Sequence, residues 1–304
     1  MSGVITTGNY PKTKRPGLQA IFGNTYNEKP ATWNQIFQTI ASDKSYEESL
    51  EASSFGLAKV KPQGDGVTYD SDEQVDIIRT RHIVYGLGFI VTEEEIEDNL
   101  YAQLAAQRTQ NLAFSMRQTK ENVAGNILNR AFNASYTFGV DNPKELIATD
   151  HVTLSGTQSN ELDPSADLSE AAIEDLVIQI KKAKNNRGLK IGLRPEQLIV
   201  PDDLHFEAGR ILQSQLQPGT ANNDVNVLYT MGTIPKVLNN TYLTDPDAFF
   251  IQTDAPRGAI HYERRALQFG EDNDFDTNNM RYKATERYSF TVEDWRAFYG
   301  SEGA

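Results

Sequence analysis

The stretch from Thr92 to Asn133, TEEEIEDNLYAQLAAQRTQNLAFSMRQTKENVAGNILNRAFN, contains no proline and a single glycine, Gly125. Proline breaks a helix interior because it lacks an N–H and clashes with the preceding turn. Thr92 and Glu95 form a capping box at its start, and Glu93 and Glu94 sit at the positive end of the helix dipole. Read as one helix, the segment is about 60 Å long at about 1.5 Å per residue. An ordinary globular helix has only about 11–12 residues. Ile96, Leu100, Leu104, Leu112, Met116, Val123 and Ile127 give a broken apolar stripe, with Gln and Asn filling much of the rest. One side of this rod can be buried. Heptads are not kept, so a coiled coil is not expected.

The segments before the rod have little core material. Residues 1–50 alternate turn formers with isolated aromatics, and only Trp33, Ile36, Phe37 and Ile40 fall at helical spacing. This reads as an arm whose aromatics dock on a neighbour. Residues 51–91 hold two β-rich runs, SSFGLAKVKPQ and VDIIRTRHIVYGLGFIVT, around a Gly- and Asp-rich turn. They read as one long hairpin with no purely apolar face, which is unstable alone and needs another surface. Residues 1–91 are therefore expected to lack a fold of their own and to become ordered across sister molecules.

Beyond residue 140 the pattern is α/β. DLSEAAIEDLVIQIKKAKNNRG reads as a helix with an Asp167–Glu170 capping box and an apolar face of Ile173, Leu176, Val177 and Ile180. EQLIVP is a short buried strand, DDLHFEAGRILQSQLQPG a second helix, and the chain from about 225 is mostly β. An acidic hairpin tip, GEDNDFDTNN, lies at 270–279.

Tests for chemistry fail in turn. There is no cysteine, so thiolate chemistry and disulfides are excluded. The histidines His82, His151, His205 and His261 form no helical pair of the metalloprotease kind. His151 with Ser155 is the nearest approach to a hydrolase, without a nucleophile-elbow motif. Asp272, Asp274 and Asp276 have calcium-loop spacing, but Thr277 and Lys283 stand where glycine and glutamate are needed. No metal, cofactor or catalytic residue is expected. A net charge of −13 argues against nucleic-acid binding through a basic surface. No apolar run is long enough to span a membrane.

The order of arm, loop, long helix, α/β unit and β-rich return resembles the major capsid protein of tailed bacteriophages, whose fold is shared with herpesvirus shells. The resemblance is carried by Asp150, His151, Gly156, Ser159 and Asn160, then Pro195, Leu198, Ile199, Val200, Pro201 and Leu204, and by the ending RYSFTVEDWRAFYGS. It is nearest to the Mu-like head subunits and covers roughly residues 50–300. It implies an α+β capsid fold: N-terminal arm 1–50, extended loop 51–91, spine helix of the P domain 92–140, A domain 141–249, and P-domain strands 250–304. It implies a non-enzymatic subunit that self-assembles as hexamers and pentamers into an icosahedral shell around double-stranded DNA held by confinement. A virion location, assembly in the host cytoplasm and a portal protein follow from the same resemblance. With only about 90 residues before the helix, a scaffold is expected to be separate or absent. A protease and decoration protein are further possible partners. Trp33, Phe37, Lys59, Lys61, Arg79 and Arg81 are the expected intersubunit contacts. Some relatives cross-link a loop lysine to an asparagine; Lys59 and Lys61 lie in the corresponding loop and Asn278 and Asn279 in a hairpin tip, but no matching motif accompanies them and no cross-link is expected. A tail-ring component and the His151–Ser155 hydrolase are the alternatives.

Overall fold

The computed structural model describes residues 11–97, 101–217, 224–274 and 277–304. The long apolar-striped segment forms helix α2 (Glu93–Glu97) and helix α3 (Tyr101–Asn129). The capping box is present in both directions, with Thr92 Oγ1 and Glu95 Oε2 each 3.4 Å from the other residue's backbone nitrogen. Helix α3 has 29 residues, about 43 Å of rod. Leu100 lies outside the described residues, as does the side chain of Ile96.

Helix α3 lies on a four-stranded sheet formed by β1 (Gln38–Ala41), β4 (Ile83–Val91), β10 (Ala259–Asn273) and β11 (Met280–Val292), in the order β1-β10-β11-β4. Strand β11 shows why. Met280, Tyr282, Ala284, Glu286, Tyr288, Phe290 and Val292 alternate into the interior, as a period of two requires. Ala105, Leu112, Ala113 and Met116 of α3 meet that face.

The front of the chain corrects the sequence reading. Residues 11–26 form helix α1 (Pro11–Tyr26), not a turn-rich arm, with Pro11 at the first helical position where its missing N–H costs nothing. Leu18 and Phe22 are buried against α3 and the sheet. Trp33–Gln35 is a single 3-10 turn and residues 38–41 are strand β1, so the helical spacing of Trp33 to Ile40 is not one helix. The expectation that all of 1–91 lacks a fold within its own chain does not hold for these segments.

The hairpin is also corrected. Its first strand is β2 (Tyr46–Ala52), paired antiparallel with β3 (Gln74–Arg81), and residues 53–63 are not a strand. The second run bends at His82 and continues as β4 in the large sheet.

A second sheet, β12-β9-β7-β8, contains β7 (Pro195–Val200), β8 (Val237–Asn239), β9 (Phe249–Thr253) and β12 (Phe298–Ser301). Helices α4 (Glu170–Lys182), α5 (His205–Gln213) and α6 (Val227–Met231) pack around it, and β5 (His151–Thr153) and β6 (Gly156–Gln158) form a small hairpin. The cap of α4 is Ser169, whose hydroxyl accepts the Ala172 N–H, while Asp167 instead accepts the N–H of Ala304. Because β9 and β12 complete this second sheet, residues 250–304 divide between the two sheets.

Candidate assembly surfaces

The strand pair β2–β3 is bolted to the body at its root. Asp76 is buried, and its Oδ1 accepts the N–H groups of Ile77, Val140 and Asp141 at 2.7, 3.1 and 2.9 Å. Arg296, also buried, donates to Lys184 O at 3.0 Å and pairs with Glu51 at 3.3 Å and Asp294 at 3.1 Å. His82 lies between Ser42 Oγ and Ser289 Oγ, at 3.0 and 2.9 Å. Burial holds its imidazole below the ordinary histidine range, more than Glu47 raises it.

Beyond this root the chain runs through residues 53–73 without helix or strand. Val60 is 94% exposed and Tyr69 93%, and Phe55, Leu57 and Val67 are exposed too. So many large apolar side chains left in water on one loop make it a candidate interaction surface. Lys59 and Lys61 lie on this loop, both exposed. Arg79 and Arg81 lie on β3; Arg79 is engaged within the chain by Glu48 at 2.6 Å and lies over the Tyr46 ring.

Trp33 and Phe37 are elsewhere. Phe37 is 2% exposed and packs edge-on against Phe290. Trp33 contacts His261 and Phe290, with the Lys120 ammonium 4.7 Å from its ring centre. The Thr32 and Trp33 N–H groups donate to the Glu121 carboxylate at 2.7 and 3.1 Å. The expectation that Phe37 docks on a neighbouring copy is therefore corrected: it anchors the arm to its own core. The six expected contact residues thus divide: Lys59 and Lys61 stand on the exposed loop, Arg79 and Arg81 on β3 at its root, while Trp33 is half-buried and Phe37 buried.

The hydrolase alternative fails on geometry. His151 is buried, stacked on Trp295 at 4.1 Å, with Nε2 at 3.0 Å from Asn160 Oδ1. Burial lowers its pKa to about 4. Ser155 Oγ faces Thr153 Oγ1 at 3.2 Å, not the imidazole. Asn160 itself is fully buried and donates to Leu146 O and Phe298 O at 2.8 Å each, tying the segment after α3 to β12. The motif residues His151 and Asn160 are thus structural. At the acidic tip, Asp274 is paired with Arg281 at 2.5 Å, and Asp276 lies outside the described residues.

A long helix laid across a sheet, an exposed loop rooted beside it, and a separate α/β sheet define the fold of capsid shells. The chain is similar to that of a virus-like particle from Pyrococcus furiosus, with a TM-score of 0.55, 12% identity, and coverage of 93% of this chain and 97% of that one. It is similar to the capsid chain of a native GTA particle, with a TM-score of 0.52, 15% identity and 90% of each chain covered. It is also similar to the procapsid chain of bacteriophage JBD30, with a TM-score of 0.52, 13% identity, and coverage of 98% of this chain and 76% of that one. At such identities these likenesses speak to the fold. The phage capsid protein family model matches residues 78–301, and the chain belongs to that family. No curated protein sequence matches it. The family and fold are those of structural capsid proteins, not enzymes, and the tail-ring alternative gives way to the capsid assignment.

Proposed function

We propose that this protein is the repeating subunit of an icosahedral phage head, assembled from hexamers and pentamers around packaged double-stranded DNA. The observation that carries this reading is the contrast between a rigidly held loop root and an exposed apolar loop, residues 53–73. Buried side chains fix where the loop leaves the body, and a neighbouring subunit covers its apolar residues. Lys59 and Lys61 then meet that neighbour, with Arg79 and Arg81 at the margin. Contacts of this kind are heterologous and close by rotation into rings and then a shell. Each contact can be weak because many act together. The DNA is retained by confinement within the wall, since a net charge of −13 gives little attraction for phosphate. Assembly takes place in the host cytoplasm, with a portal protein at one vertex and any scaffold, protease or decoration protein supplied by other chains. The Mu-like head subunits remain the subgroup this reading favours.

The test is to replace residues 56–70 by a short glycine-serine linker and to express the variant beside the unmodified chain with its neighbouring open reading frames. The expected result is a folded, soluble variant that forms no shells, while the unmodified chain forms closed particles visible by electron microscopy. Normal particles from the variant would defeat the role given to the loop.

A further inference from the structure

Charge is segregated along this chain. Between Asp175 and Glu196 lie Lys181, Lys182, Lys184, Arg187, Lys190 and Arg194, with no acidic residue among them, in a chain of net charge −13. Arg187 reaches Asp70 at 4.0 Å. Lys181, Lys182, Lys184, Lys190 and Arg194 are exposed and have no ion pair among the described residues. Lys184 and Lys190 stand opposite each other in an antiparallel bridge, where like charges are destabilising.

The opposite end is acidic. Glu93, Glu94 and Glu95 open α2, and Asp272 and Asp274 flank the β10–β11 tip. The two groups are joined, because Glu93 N–H donates to Asn279 Oδ1 at 3.2 Å and Asn278 donates to the Glu93 carboxylate. Arg108 answers Glu95, and Arg281 answers Asp274. Glu94 and Asp272 have no ion pair among the described residues.

Strand β11 separates the two poles. Its 13 residues run from Met280, beside the acidic end, to Val292, a distance of about 40 Å at about 3.3 Å per residue. Arg296, just beyond, is hydrogen-bonded to Lys184 O. The poles therefore do not meet within one molecule. The basic pole is also tied to the root of the extended loop, through Asn186 to Glu51 at 3.0 Å and Arg187 to Ser71 O.

We propose that Lys181, Lys182, Lys184, Lys190 and Arg194 form a docking surface for the acidic end of a second copy, centred on Glu93, Glu94 and Asp272. This rests on the capsid reading and adds a charged contact to it. Such a contact is heterologous, as ring closure requires. It gives like-charged copies a local attraction that steers their encounter. Nucleic acid is the poorer occupant, because the field of the whole chain repels a polyanion.

The test uses the full chain under conditions that give shells. Failure of the unmodified protein to form shells with its neighbouring gene products overturns the capsid reading itself. Given shells, Lys184→Glu with Lys190→Glu is expected to slow assembly roughly tenfold in light scattering, as charge reversal in a steering contact does. Glu94→Lys with Asp272→Lys is expected to do the same, and mixing the two variants to restore assembly between unlike copies. Lys184→Gln with Lys190→Gln gives a milder version if reversal harms folding, which circular dichroism monitors. Unchanged assembly in the folded reversal or neutral variants overturns the proposal, as does a mixture that fails to recover. So does DNA retention by the unmodified chain that the lysine variants lose while still assembling normally.

Discussion

Lys120 on α3 and Glu286 on β11 form an ion pair inside the chain, with side chains only 5% and 2% exposed. The ammonium also lies over the rings of Trp33 and Tyr288, at 4.7 and 4.9 Å from their centres. One buried cation thus joins the long helix, the large sheet and the arm. Burial pushes the Glu286 carboxyl upward, against the opposing pull of Lys120.

Removing one partner of this pair leaves the other charge buried. Lys120→Met is expected to cost about 3–5 kcal/mol in urea unfolding of the unassembled chain. Adding Glu286→Leu should recover most of that loss, because a buried pair replaced by apolar groups is often near neutral. Simple addition of the two costs would contradict the pairing.

Phe37 tests whether the arm belongs to its own chain. Its ring is buried between α3 and the large sheet, so Phe37→Ala should destabilise the unassembled protein by about 3–5 kcal/mol. If the ring instead docked on a neighbour, the monomer would unfold at the same urea concentration as before and only assembly would suffer.

Acid should weaken the fold through His151. Its folded pKa of about 4, set mainly by burial, lies below the ordinary value of 6.5. In that window the unfolded chain binds more protons than the folded one, so stability falls as pH drops from about 6.5 to about 4. The loss from this group should approach about 3 kcal/mol at the lower end. His261, lowered to about 3 by burial, adds a second loss of the same sign. His151→Gln should flatten the measured slope of unfolding free energy against pH; an unaltered slope would remove His151 from the account.

Gly139 holds the loop root by leaving room for Asp76. Its φ is +91°, and a Cβ there would come 2.1 Å from Asp76 Oδ2 and 2.9 Å from Asn142 O. Gly139→Ala is expected to displace Asp76 from the Val140 and Asp141 N–H groups. The strained backbone alone costs on the order of 1–3 kcal/mol. Hydrogen exchange should then speed up at Ile77, Val140 and Asp141, while β7 stays protected. Uniform exchange across the chain would show that Asp76 does not fasten the root.

Some of this molecule can be read directly from local pattern. The capping box at Thr92 and the apolar face of α4, Ile173, Leu176, Val177 and Ile180, are short-range signals, and both appear in the fold. Helix α1 was legible only in part. Leu18, Ile21, Phe22 and Tyr26 have helical spacing, but Pro16, Gly17 and Gly23 among them look like a turn. Packing on α3 supplies what local propensity withholds. Asp76 carried no signal, because two of the three N–H groups it holds, those of Val140 and Asp141, are distant in sequence. Asn160 and Arg296 stand in the motif stretches, but their partners Phe298 and Glu51 are far along the chain and no local pattern names them.

The amino-acid order by itself determined a long rod, an α/β unit with its helix faces, the lack of nucleophile and metal motifs, and the segregated charge. These depend on residue spacing and composition, which the chain carries before it folds. Tertiary structure alone decided that Trp33 and Phe37 turn inward, that β3 and β4 part at His82 into different sheets, and that β9 and β12 complete the second sheet. Those outcomes hang on contacts between residues far apart in sequence, such as Phe37 with Phe290 and Asn160 with Phe298, whose partners no local pattern names.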